Sequence, residues 1–270
     1  MPLQNPIPIV MTFAGADPTG GAGVQADIEA IASMGCHACG VITAITVQDT
    51  QNVMAFMPIE MGLIIQQARA VLEDMPVAAF KIGMVGSVAA AEAIHTILTD
   101  YPNIPMVLDP VFKAGGGRDL SDDNIVDAII ELLVPLATIV TPNSVEARRL
   151  APHADTLEAC AHEILDMGCE FVLITGTHEN TPNVVNSLYT NRRLIDSYTW
   201  QRLPHTYHGS GCTLAGSIAG LLGQGYEPIS AVFEAQQYTW TALSQGTRAG
   251  MGQWLPNRFF WAQAGDSNKK

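Results

Sequence analysis

The residues best suited to chemistry fall in two glycine-rich stretches and in a set of carboxylates and amides that close apolar runs. The first stretch, Gly15-Ala16-Asp17-Pro18-Thr19-Gly20-Gly21-Ala22-Gly23, joins a strand-like run to a helix-like one. Within it, Gly21-Ala22-Gly23-Val24-Gln25-Ala26 matches the dinucleotide fingerprint G-x-G-x-x-A. The match is imperfect: the glycines come late after the strand, the next strand runs into Gln48-Asp49, and no G-K-[ST] of a Walker loop follows. A plain turn capping a helix needs fewer glycines, so a loop that approaches a ligand is expected. The second stretch, His208-Gly209-Ser210-Gly211-Cys212-Thr213, opens a helix of small residues. Successive backbone N–H groups there, aided by the helix dipole, make an anion site. Cys212 falls in the first turn, where a thiolate is favoured, so a partly ionised thiol near neutral pH is expected. The alternative is a buried cysteine at a glycine-rich helix start. Asp109 closes one apolar run before Pro110, Asn143 closes the next, and Glu146 follows. Such hard oxygens suit a magnesium–phosphate complex. Asn143 and Glu146 equally suit a helix cap with its capping-box partner.

These residues need a scaffold that brings strand ends together. Strand-like runs are read at Ile7–Phe13, Val41–Val47, Phe80–Val85, Pro105–Leu108, Thr138–Val140 and Phe171–Thr175. Helical spacing is read at Val24–Met34, Leu63–Leu72, Ala89–Leu98, Asn124–Val134 and Leu157–Met167. Nearly continuous apolar strands separated by helices predict a parallel sheet covered on both faces. Asn183–Leu203 is polar with short strand-like pieces, as in a meander at a sheet edge. Helices follow from Cys212 through Leu222 and over Ile229–Thr247. No linker or repeat interrupts the pattern, so one domain over residues 1–270 is expected.

Composition narrows the function. The 270 residues are 48% hydrophobic, and Lys+Arg 13 against Asp+Glu 26 gives a net charge of −13. A generic nucleic-acid binder needs a basic surface, and an anionic membrane would repel this one, so neither partner is expected. Met1 to Pro6 is short and proline-broken, and no run reaches the roughly eighteen apolar residues of a membrane span. The 5 cysteines are odd in number, which suggests reduced thiols in a cytoplasmic protein. Cys36-His37-Ala38-Cys39 has redox spacing but leads straight into an apolar strand, so packing is expected of both sulfurs.

Taken in order, the motifs resemble the hydroxymethylpyrimidine/phosphomethylpyrimidine kinases, the thiamine-pathway family of the ribokinase superfamily. Residues Ala14 to Asp27 are similar to the opening of that family, and Val41 to Thr50 to its second strand. Lys81-Ile82-Gly83-Met84, Asp109-Pro110-Val111, Thr141-Pro142-Asn143 with Glu146-Ala147, and His208 to Thr213 follow in family order. Gly250-Met251-Gly252 to Phe259 is similar to its C-terminal glycine, proline and Asn-His-Phe segment. The resemblance implies a ribokinase-like three-layer αβα sandwich, with a mostly parallel central sheet and helices on both faces. It implies ATP-dependent phosphorylation of 4-amino-5-hydroxymethyl-2-methylpyrimidine and its monophosphate. By the match, Gly15, Asp27, Gln48, Met84 and Val111 would hold the pyrimidine. Gln48 offers both an acceptor and a donor to an aminopyrimidine edge. Asp109, Asn143, Glu146, Thr175 and Thr213 would serve ATP, with Asp109 and Glu146 toward Mg2+. Gly209, Ser210, Gly211 and Cys212 would meet the transferring group, Cys212 as base or as part of the anion hole. A homodimer is expected by the same resemblance, with the 183–203 edge as its interface.

The chain also departs from the family. Where a lysine and Ser-Gly usually follow Asp-Pro-Val, it has Gly115-Gly116-Gly117, with Lys113 two residues early. Where Lys-Gly-Gly-His is usual, it reads Thr175-Gly176-Thr177-His178. Lys113 or Arg118 would have to replace the missing cations, or ATP binding or the second phosphorylation would weaken. Three rival readings follow: a pyridoxal-type kinase on the same fold, a pyrimidine-binding homologue with reduced or lost turnover, and an NAD-dependent dehydrogenase resting on the glycine fingerprint.

Overall fold

A computed structural model describes residues 7–113, 116–117 and 119–263; Gly115 and Arg118 lie outside them. The strands are β1 (Ile9–Ala16), β2 (His37–Gln48), β3 (Val53–Pro58), β4 (Val77–Ile82), β5 (Met106–Leu108), β6 (Ile139–Val140), β7 (Phe171–Ile174), β8 (Asn183–Thr190) and β9 (Arg193–Gln201). They form one 9-stranded sheet in the order β3-β2-β1-β4-β5-β6-β7-β8-β9. The run from β2 through β7 is parallel, while β3 at one edge and β8 and β9 at the other are antiparallel. The chain leaves β1 toward β2 and returns on the other side of β1 to make β4. In such sheets the crevice beyond the carboxyl ends of the two diverging strands is where ligands bind.

The helices are α1 (Gly23–Ser33), α2 (Met61–Leu72), α3 (Val88–Thr99), α4 (Asp123–Ala128), α5 (Ser144–Leu150), α6 (Leu157–Asp166), α7 (Ser210–Gly223), α8 (Pro228–Ser244) and α9 (Phe260–Gln263). The period-2 alternation of each strand divides the core in two. Met11, Phe13, Phe80, Ile82, Met106 and Leu108 pack with α2–α6, whereas Val10, Ala79 and Val107 pack with α1, α7 and α8. A strand buried on both faces has no solvent side on which to carry polar residues. Thr12 and Lys81 are therefore informative: both have 0% exposure, and both fall on the α1 side of the alternation.

The expected three-layer architecture is present. β1 starts later than read and continues through Gly15 and Ala16, because their backbone still pairs with Ala44 and Ile45. The helix read over Asn124–Val134 is α4 followed by a π-turn, Ile129–Leu133, and a 3-10 turn, Val134–Leu136, where Pro135 has no N–H to continue an α-helix. β3 and α5 were not read as elements. Cys36 and Cys39 are buried and free, in keeping with packing roles. Among the described residues no helix is long and apolar enough to cross a membrane.

Candidate active site

The chemistry-bearing residues collect where β1, β2, β4 and β5 end and α7 begins. On one side is a small apolar cluster of Ala44, Val53, Met84 and Leu120, with Phe56 and Val111 packed against it. Gly15 borders it: a Cβ there would stand 3.0 Å from Met84 Sδ. Gln48 shares the Ala44–Thr46 face of β2, and its amide donates to Thr46 Oγ1 at 2.8 Å. Thus Gly15, Gln48, Met84 and Val111 line one neighbourhood.

Asp27 lies beneath it. Its carboxylate is 0% exposed, accepts from Thr12 Oγ1 at 2.5 Å, and meets the fully buried Lys81 Nζ at 2.9 Å. Burial alone would pull Lys81 down; the charge of Asp27, helped by Asp109 and by the hydrogen bond to Asp27, outweighs it and keeps the ammonium charged. The sequence reading gave Lys81 no role. Its signal was available: one lysine inside the apolar run Val77-Ala78-Ala79-Phe80-Lys81-Ile82. A charge there must have a buried partner.

On the other side, Asp109 follows β5 and is 4% exposed. Its Oδ2 has no hydrogen-bond partner among the described residues. Burial, with a smaller push from Asp27 and against the pull of Lys81, raises its pKa to about 6. Asn143 and Glu146 form a capping box on α5. Asn143 Oδ1 accepts from the Val145 and Glu146 N–H groups at 2.9 and 3.0 Å, and Glu146 Oε2 accepts from the Asn143 N–H at 2.8 Å. A surface cap would leave Glu146 an ordinary carboxylate. Here burial and then the charge of Asp109 push it up to about 8. The cap is therefore real, and its acid also feels the neighbouring carboxylate. Thr175 joins this group through a bridge to Asn143, with its carbonyl accepting from Ser144 N–H at 3.0 Å.

The start of α7 lies between the two sides. Gly209 has φ +79°, and a Cβ on it would collide with the Gly21 carbonyl oxygen. A Cβ on Gly21 would in turn strike the His208 ring. These two glycines let the turns pack against each other, so Gly21 serves packing within the chain rather than a ligand. The dinucleotide reading loses its footing there. Gly211 is exposed, and a Cβ on it would come within 3.6 Å of Asp109 Oδ1. The helix start thus faces the carboxylate.

Cys212 departs from the expected thiolate. Burial pushes its thiol up to about 12; Lys81 and the Gly23 N–H pull the other way, and Asp109 and Asp27 reinforce the rise. The helix start favours a thiolate, but lost hydration, reinforced by two nearby carboxylates, outweighs it. Thr213 turns inward: its hydroxyl donates to the Gly209 carbonyl at 2.8 Å and it is 0% exposed.

Lys113, the displaced cation, is half-exposed and 3.6 Å from Asp119. The sequence reading also passed over Asp17, His208 and Arg258. His208 Nε2 and Asp17 Oδ2 are hydrogen-bonded at 2.8 Å. Burial would raise Asp17, but bonds from His208, Thr19 and Ala22 outweigh it and hold the carboxyl below its usual range. Cavities of about 320 Å³, beside Tyr226 and Tyr238, and about 460 Å³, beside Cys169 and Arg192, lie away from these groups.

Residues 17–257 match the phosphomethylpyrimidine kinase family, so the match runs from just after β1 through the second glycine turn and takes in the ends of β2, β4 and β5. The chain belongs to that family. It is 35% identical over 250 residues to the hydroxymethylpyrimidine/phosphomethylpyrimidine kinase of Rhizobium meliloti, covering 91% of this chain and 94% of that one. It is 33% identical over 258 residues to a thiamine biosynthesis bifunctional protein of Geobacter sulfurreducens, covering 94% of this chain but only 53% of that longer protein. Among solved structures, the phosphomethylpyrimidine kinase from Clostridium difficile superposes with TM-score 0.75 at 34% identity, over 86% of this chain and 97% of the other. An ADP complex of Bacillus subtilis pyridoxal kinase superposes with TM-score 0.86 at 25% identity, over 95% and 99%. The fold is thus shared with pyridoxal kinases, while sequence identity runs higher to the family's own pyrimidine kinases. As a member of a kinase family the chain is a phosphotransferase.

Proposed function

We propose that this phosphomethylpyrimidine kinase family member transfers the γ-phosphoryl group of ATP to the hydroxymethyl group of 4-amino-5-hydroxymethyl-2-methylpyrimidine, and to its monophosphate, in thiamine biosynthesis. The observation that carries the reading is a juxtaposition. An apolar cluster at Met84 and Val111, edged by the Gln48 amide, adjoins a helix N-terminus that faces a carboxylate with an unpaired buried oxygen.

In this reading the ring lies between Gly15, Met84 and Val111, with Gln48 reading its polar edge and Asp27 below. Lys81 holds Asp27 in place and supplies buried positive charge. The N–H groups of Ser210, Gly211 and Cys212 receive the transferring group. Positioning and charge neutralisation dominate such a reaction, because its transition state is loose. A thiol raised to about 12 is a poor resting base, which supports Cys212 as part of the anion hole.

Magnesium fits the other side. The unpaired Asp109 oxygen and the Glu146 carboxyl are hard donors, and among the described residues no group of three or more His, Cys, Asp or Glu could cage a metal. One or two carboxylates, with substrate phosphates and water, are what Mg2+ takes. When bound it would neutralise charge on the transferring phosphates. Asn143 and Thr175 would orient the nucleotide's phosphates, and Thr213 would hold the helix start.

The missing family lysines leave room for a pyrimidine binder with weak turnover, and the overlap with pyridoxal kinases keeps a pyridoxal-type activity in view. One assay separates the three: ATP and Mg2+ with the pyrimidine alcohol, its monophosphate or pyridoxal, with products read by mass. Product from the alcohol at the highest rate is expected; faster turnover of pyridoxal, or none of any substrate, would refute the assignment. We also expect one domain over residues 1–270, in keeping with its single sheet, and a cytoplasmic site, in keeping with five free cysteines. A homodimer through the edge strand β9, where Leu194 and Ile195 are exposed, would show as twice the chain mass by light scattering.

A further inference from the structure

Arg258 belongs to no part of the site described so far, yet it is 2% exposed. Its guanidinium donates to four acceptors. Nε reaches Thr213 Oγ1 at 2.9 Å, one terminal nitrogen reaches Glu29 Oε2 at 3.0 Å and the Gly20 carbonyl at 3.3 Å, and the other reaches the Gly21 carbonyl. Its own carbonyl accepts from Ser33 Oγ at 2.8 Å and Tyr238 Oη at 2.7 Å. One side chain thus joins the loop after β1, helix α1 and the first turn of α7. Its single carboxylate partner, Glu29, is 39% exposed at the side chain, so the buried charge rests largely on the carbonyls and the hydroxyl. A buried cation without such bonds would be costly. An arginine suits this place because its planar donors serve several acceptors at once, whereas a lysine offers one compact charge.

The bonded groups matter for what they hold. Thr213 is tied to Gly209, the left-handed residue that sets the α7 start. Gly21 is the residue against which Gly209 and His208 pack. The Asp17–His208 bond joins the same two turns. We propose that Arg258 is a positioning residue for phosphoryl transfer. By tying the Gly20 and Gly21 carbonyls to Thr213, it fixes the Ser210–Cys212 N–H groups relative to Asp27, Lys81 and the pyrimidine pocket. This rests on the reading of the α7 start as the site of the transferring group.

The test uses the full chain with Arg258→Lys and Arg258→Met, and Arg69→Gln, at a surface pair with Asp100, as control. Steady-state kinetics, the alkylation rate of Cys212 by iodoacetamide (read by peptide mass) and melting temperature are measured on each. Small misplacements at such a site cost up to about 100-fold in rate. The expectation is a fall in kcat of about 10- to 100-fold in both variants, with the pyrimidine KM within about twofold. Cys212 alkylation should speed up severalfold, and added guanidinium ion should restore part of the kcat of Arg258→Met. Unchanged kcat and alkylation would overturn the proposal. So would a loss of activity that only tracks the folded fraction, with no rescue and no change at Cys212. Should Arg258→Met fail to fold, Arg258→Lys carries the same measurements. Should the wild-type protein transfer no phosphoryl group, the kinase reading fails, and the alkylation rates still decide whether Arg258 sets the α7 start.

Discussion

Asp27 and Asp109 stand on the same face of the sheet, are 0% and 4% exposed, and differ in what meets their oxygens. Asp27 Oδ2 accepts from Lys81 at 2.9 Å and Thr12 at 2.5 Å, and its Oδ1, which has no hydrogen bond among the described residues, still lies 2.9 Å from the Lys81 ammonium. Asp109 has an oxygen with no partner among the described residues, a raised pKa, and a second raised acid, Glu146, within reach of its charge. The carboxylate paired with a buried cation belongs to the folded scaffold. Asp109 and Glu146, which have no ion-pair partner among the described residues, are a cost the fold carries until positive charge arrives, as expected of a nucleotide–metal site.

Breaking the Asp27–Lys81 pair should have the largest effect. Lys81→Met strands the Asp27 charge, and removing one partner of a buried ion pair costs about 3–5 kcal/mol. A urea unfolding midpoint would read it; a loss under about 1 kcal/mol would mean that the pair does not hold the fold. Asp109→Asn should do the opposite. The ligand-free protein should be as stable or more so, while kcat falls on the order of 10²–10³-fold, as when an electrostatic group is removed from a transition state. Lower stability with intact turnover would reverse the roles assigned to the two aspartates.

Acidity sharpens the contrast. An acid whose pKa rises on folding keeps its proton in the folded chain where the unfolded chain has lost it, so stability falls as pH rises through that window. The windows run from 3.8 to about 6 for Asp109 and from 4.5 to about 8 for Glu146. The ligand-free protein should therefore melt lower at pH 8 than at pH 5. Between these two pH values the share from Asp109 is roughly 1–2 kcal/mol, and Glu146, which keeps part of its surface in water, adds less than its shift suggests. Asp109→Asn should flatten the slope; an equal slope in the variant would place the titration elsewhere. The smallest change is expected at the pocket edge. Gln48→Ala should weaken pyrimidine binding by about 1–3 kcal/mol with little change in kcat, read by calorimetry and kinetics.

Much of this was legible in the chain. Near-continuous apolar runs and intervening helical spacing gave the sheet and its two helical layers. The residues placed by motif, Met84 with Val111 and Asn143 with Glu146 and Thr175, do meet. What escaped depended on long-range contact. Nothing local tells that Gly21 makes room for His208, that Arg258 reaches back to Gly20, or that Lys81 finds Asp27. Cys212 shows the limit of a local rule: its helix position argues for a thiolate, but burial by residues distant in sequence, with smaller pushes from Asp109 and Asp27, decides against one. The strand β3 escaped because Val53-Met54-Ala55-Phe56-Met57-Pro58 lacks the β-branched richness of its neighbours and is held by pairing with β2.

The central claim is that the carboxylates without a cationic partner among the described residues, Asp109 and Glu146, serve the nucleotide's metal while the one paired with Lys81 does not. Its most direct test is a magnesium titration of kcat at fixed ATP and pyrimidine alcohol in wild type and Glu146→Gln. Glutamine keeps the N3 capping acceptor and removes the charge, so the fold is spared. The apparent Mg2+ activation constant should rise about tenfold or more, with the pyrimidine KM within about twofold. An unchanged magnesium dependence would contradict the account and leave Glu146 as the cap of α5 alone.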